Sequence, residues 1–68
     1  MTIGQRINLK RLQKDMSMRK LADKANIPQP TIYAWIARGT HPDIDALCKI
    51  ADVFECTLDE LVGRTAAK

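Results

Sequence analysis

Residues 21–36, LADKANIPQPTIYAWI, decide how this chain folds. Leu21, Ala22 and Ala25 precede the break Asn26-Ile27-Pro28, and Ile32, Trp35 and Ile36 follow it. Spacings of three and four put each apolar set on one face of a helix. The break is too short for a long loop, so the two helices must cross steeply, as in a helix-turn-helix. Ala22 is small enough to let the second helix pass close to the first. Asn26 tolerates the positive φ that the turn demands. Ile27, Ile32 and Trp35 supply the apolar residues that such a corner has to bury.

Working outward, the sequence predicts five helices and no strands, an all-α fold. The first covers about 3–14, with Ile3 and Ile7 inward, Leu9 and Leu12 at the edges, and the stem of Arg11 against the core margin. Ser17 is an N-cap for the second, about 18–25, with Lys20 where the acid of a capping box would stand. The third covers about 29–38, with Pro30 in its first turn and Gly39 ending it in a left-handed conformation. After His41-Pro42, Asp43 caps a fourth helix, about 44–54, with Ile44, Leu47, Ile50, Ala51 and Phe54 inward, and Cys48 is read as buried packing. Thr57-Leu58-Asp59-Glu60 is a capping box for a short fifth helix around Leu61 and Val62. One domain over 1–63, its helix-turn-helix about 17–37, is followed by a flexible tail over 64–68.

The net charge of +3 is unevenly spread. Residues 1–42 hold eight Lys/Arg against Asp15 and Asp23, a net of +6, and residues 43–68 hold three against six acids, a net of −3. A basic half joined to an acidic half suits a polyanion on one face, although a solvated surface with chance clustering accounts for charge alone equally well. No stretch approaches the roughly 18 apolar residues of a membrane span, and Arg6, Lys10 and Arg11 interrupt any signal-peptide core. A soluble, cytoplasmic protein is expected, with Cys48 and Cys56 as free thiols.

The segments IGQRINLKRL, LADKANIPQPTIYAWI and ALCKIADVFECTLDELV, with the connection through Pro42, resemble the Cro/C1-type (XRE) helix-turn-helix regulators of phages and bacteria. The resemblance runs from Ile3 to Val62 and implies a compact five-helix lambda-repressor-like domain. It further implies a bacterial or phage transcriptional regulator, a repressor, with the third helix in the major groove of a palindromic operator. Gln29 stands where the family often opens its recognition helix with a glutamine, whose amide pairs with adenine N6 and N7. Pro30 offers an apolar contact. Tyr33 either reaches a base or phosphate or lies on the surface beside Arg19 or Lys20, and Thr31 either reaches DNA or helps to cap the helix. Ala34 permits close approach. Ser17, at a helix start, is implied as a phosphate contact, and Arg11, Arg19, Arg38, Thr40 and His41 are candidates for the same role. Ile36, Pro28 and Gly39 depart from the family pattern, the first leaving Arg11 without the family's usual glutamate.

An enzyme is not expected. His41 is the single histidine, neither cysteine is spaced with a base, and no Gly-rich phosphate loop is present. Two cysteines and one histidine do not make a metal set, and no cofactor is implied. The expected partners are duplex operator DNA and a second copy of the chain, held weakly through the fifth helix and the loop before it. A protein-interaction module on the same fold, such as an antitoxin-like or adaptor subunit, is the competing reading. The small apolar residues Pro30, Ala34 and Ala37 keep it open.

Overall fold

In a computed structural model, which describes residues 1–63, the chain forms α1 (Ile3–Gln13), α2 (Met18–Ala25), α3 (Gln29–Arg38), α4 (Ile44–Phe54) and α5 (Leu58–Val62). No strand occurs among the described residues. The expected tail over 64–68 lies outside them.

Local chemistry fixes the ends of each helix. Thr2 and Gln5 form a reciprocal capping box on α1, Thr2 N donating to Gln5 Oε1 at 2.9 Å and Gln5 N to Thr2 Oγ1 at 3.1 Å. Ser17 Oγ accepts from Lys20 N at 3.0 Å, and Asp43 Oδ1 accepts from Ala46 N at 2.8 Å. Thr57 and Glu60 close the second capping box, on α5. Asn26 ends α2 in the left-handed region at φ 57°, as the turn requires, and Ile27 N reaches back to Ala22 O at 3.0 Å.

Ile7, Leu21, Ile32, Ile50, Phe54 and Leu61 are the largest fully buried side chains, so every helix contributes at least one. Burial of this kind, rather than the intrinsic propensity of five short helices, holds the fold. The helices α1 and α3 approach backbone to backbone at Gly4. A Cβ added at Gly4 would strike the Trp35 carbonyl group and come within 2.9 Å of Ile36 N. Gly4 is buried, and it lets α1 lie directly on the backbone of α3.

Two expected core positions are not in the core. Ile44 is 62% exposed, and Cys48 is exposed. The inward face of α4 is set by Ile50, Ala51 and Phe54. At 3.6 residues per turn, Ile44 lies about 120° and Cys48 about 160° around the helix from Ile50. Leu9 and Leu12, expected at the core edge, are 44% and 58% exposed on the outer side of α1. The first helix ends as expected, with Lys14 as its C-cap.

Candidate nucleic-acid interface

The outer face of α3 follows from its inner one. Ile32 is fully buried and Trp35 is 4% exposed, which anchors one side of the helix in the core. Gln29, Pro30, Tyr33 and Ala37 are exposed and Ala34 is half-buried. Pro30, Tyr33, Ala34 and Ala37, spaced by three and four residues, share one face, and Gln29 opens the same helix beside Tyr33. Tyr33, 62% exposed, is the large projecting group of that face.

The start of α3 lacks a side-chain cap. Pro28 is the N-cap residue and makes no side-chain hydrogen bond, while Thr31 N donates to Pro28 O at 3.1 Å. Thr31 is exposed and does not fill the capping role considered for it. It lines a groove with His41, Asp43 and Asp45 instead. Lys49 lines the same groove and offsets part of the charge of those two carboxylates. At the far end, Gly39 at φ 72° ends α3, leaving Arg38, Thr40 and His41 exposed around the exit.

The second cluster lies at the α1–α2 corner, where Arg11 and Ser17 line one cleft with Leu12, Asp15 and Met16. A helix start carries unpaired backbone N–H groups and the positive end of a dipole, which suits a phosphate oxygen. Ser17 contributes the cap there, and Arg19 is exposed in the first turn. Arg11 is half-buried, and its guanidinium is already hydrogen-bonded. The residue that holds it, Asn8, was not singled out by sequence reasoning. An amide three residues before an arginine on a helix is the only signal for it, and a common one. Among the described residues no group of three or more His, Cys, Asp or Glu side chains is placed to hold a metal ion, and no helix is long and apolar enough to cross a membrane.

Comparisons with known proteins give the same fold and its family. The model of the family described as Helix-turn-helix matches residues 7–61. An uncharacterised HTH-type transcriptional regulator of Rickettsia conorii is 38% identical over 56 residues, covering 76% of this chain and 51% of that protein. The HTH-type transcriptional regulator AnsR of Bacillus subtilis is 34% identical over 58 residues, 85% of this chain and 50% of that protein. The chain thus spans about half the length of these relatives. Among solved structures, the P22 c2 repressor in complex with a synthetic operator superposes with a TM-score of 0.82 at 20% identity, covering 96% of this chain and 98% of that one. A transcriptional regulator from Listeria innocua gives a TM-score of 0.79 at 22% identity, covering 98% of this chain and 63% of that one. At such identities the two superpositions speak for the fold.

Proposed function

This chain belongs to the Cro/C1-type helix-turn-helix family, and from that premise we propose that it is a transcriptional regulator that binds duplex DNA sequence-specifically, acting as a repressor. The observation that carries the reading is the anchoring of α3. Ile32 and Trp35 are buried, so Gln29, Pro30 and Tyr33 are exposed on a rigid support, with Ala34 half-buried between them and Thr31 exposed at the groove edge. Gln29 pairs with an adenine edge in the major groove, and Pro30 and Ala34 lie against thymine methyl groups. Ser17, Arg11 and Arg19 take phosphates at the α1–α2 corner, and Arg38, Thr40 and His41 take them beyond the end of α3. The relatives' names, HTH-type transcriptional regulators, and the operator bound by the P22 c2 repressor support the same reading.

One recognition helix reads few base pairs, so useful affinity requires two copies on a palindrome with half-sites about 34–36 Å apart. The half-buried apolar residues Val53, Leu58 and Val62, on α4 and α5, favour a weak pairing of copies that DNA tightens. The protein works in the cytoplasm, where its DNA is, and its role is binding rather than catalysis.

Selection of bound sequences from a random duplex pool tests the proposal. The pool should converge on a palindrome, and a Gln29→Ala, Tyr33→Ala double variant should lose discrimination between the selected and scrambled duplexes. Failure to enrich any sequence at low salt refutes the proposal. Retained DNA discrimination by the double variant, with loss of a protein complex, favours the interaction module instead.

A further inference from the structure

Arg11 is held in place by uncharged groups. Its Nε and Nη2 donate to Asn8 Oδ1 at 3.1 and 2.7 Å, and its Nη1 donates to the Met16 carbonyl oxygen at 2.9 Å. Met16 N donates in return to Arg11 O at 3.0 Å, so side chain and backbone lock the same corner. A guanidinium has five N–H groups. Three are used, which leaves one on Nη1 and one on Nη2. Arg11 shares its cleft with Ser17, the cap of α2. Asp15 lines the same cleft but is not a hydrogen-bond partner of Arg11.

The chemistry of the holder matters. A carboxylate in place of the Asn8 amide would accept the same two bonds and cancel the charge it orients. The amide accepts them and leaves a full positive charge beside the α2 start. We propose that Asn8 is a positioning residue for DNA binding: a neutral acceptor that fixes the Arg11 guanidinium for a backbone phosphate while preserving its charge. This rests on the reading of the α1–α2 corner as a phosphate site. It adds a residue to that site and states why the residue is neutral.

The test measures binding of the whole chain to its selected duplex by fluorescence anisotropy from 50 to 250 mM KCl, with thermal melts of each variant. Each neutralised phosphate contributes about 0.9 to the slope of log K against log salt. Asn8→Asp keeps the hydrogen bonds and cancels the charge, so the slope should become shallower by about 0.9 per bound protomer, with roughly eightfold weaker binding at 0.1 M salt, and the melting temperature should not fall. Asn8→Ala keeps the charge and removes the holder, so affinity should fall several-fold while the slope stays within about 0.3 of the original. Arg11→Gln should match Asn8→Asp in slope. An Asn8→Asp variant that is folded and keeps the original slope and affinity overturns the proposal and leaves the DNA reading standing. If Asn8→Asp does not fold, the other pair decides: an Asn8→Ala affinity equal to that of the unaltered chain, or an Asn8→Ala slope equal to that of Arg11→Gln, overturns it, and a several-fold loss for Asn8→Ala at unchanged slope, beside a shallower slope for Arg11→Gln, supports it. Absence of salt-dependent duplex binding by the unaltered chain removes both readings.

Discussion

Replacing Gly4 with alanine separates two accounts of a glycine inside a helix. If the position is open, alanine should stabilise α1 by about 1 kcal/mol, the usual difference in helix propensity. The fold says otherwise. The new Cβ would meet the Trp35 carbonyl group and lie 2.9 Å from Ile36 N. Favourable contacts between heavy atoms begin at about 3.5 Å, so relief from Ile36 N alone needs a shift of about 0.6 Å, and the Trp35 carbonyl demands more. Both sides of the clash are backbone, and no flexible side chain can turn away. Overpacking of this kind costs roughly 1–3 kcal/mol, and two rigid helices put Gly4 at the upper end. After the propensity gain, a net loss of about 2 kcal/mol remains. For a domain of this size that is a fall in melting temperature of roughly 8–16 °C. Circular dichroism melts and urea titrations of the two proteins measure it. Because α1 must move off the helix that bears Gln29 and Tyr33, affinity for the selected duplex should fall as well. A melting temperature that is unchanged or raised would show that α1 and α3 do not approach through Gly4.

Glu55 ends α4 in the left-handed region at φ 56°, where a side chain is strained and glycine is not. Glu55→Gly should raise stability by about 0.5–1 kcal/mol once the extra entropy of the unfolded chain is deducted, read as a higher urea midpoint with an unchanged m-value. A lower midpoint counts against strain at that residue. Glu60 has its carboxyl held below the ordinary value by the Thr57 backbone N–H, then by the Thr57 hydroxyl, and by the charge of Lys10. With the folded value lowered, its stabilising effect is present above the ordinary glutamate range and is lost as the pH falls through the folded value. Acidification should therefore weaken the α5 cap as the pH falls from the ordinary glutamate range through the folded value, and Glu60→Gln should remove that part of the pH dependence. A carboxyl titration followed by NMR that places Glu60 at or above the ordinary glutamate value contradicts the capping geometry.

What could be read from the residues, and what could not, divides by range in the chain. Ser17, Asn26, Asp43 and the Thr57–Glu60 pair act on groups within four residues, and each does what its type and offset implied. The outward face of α3 was legible for the same reason, because burial of Ile32 and Trp35 fixes it. The first helix was harder. It is apolar on two sides, with Ile3 and Ile7 on one and Leu9 and Leu12 on the other. Leu9 stands about 200° around the helix from Ile7, so periodicity alone does not strongly choose between the faces. Gly4 decides. Only the side bearing a glycine admits the backbone of α3, and that need appears only when the two helices are brought together. Asn8 is the same kind of case. Its partner Arg11 is close in sequence, but the third hydrogen bond of Arg11, to the Met16 carbonyl, depends on how the chain leaves α1 at Asp15 with φ 54°. Ile44 and Cys48 were misplaced for the converse reason: their spacing from Leu47 and Ala51 fits a helical stripe, but the core reaches only as far around α4 as Ile50, Ala51 and Phe54 define. The outward face of α3 is thus a local property of that helix. On the proposed function, its attitude to a duplex depends on the close contact at Gly4 and the corner at Arg11, and a change at either should alter DNA binding without touching a residue proposed to face a base.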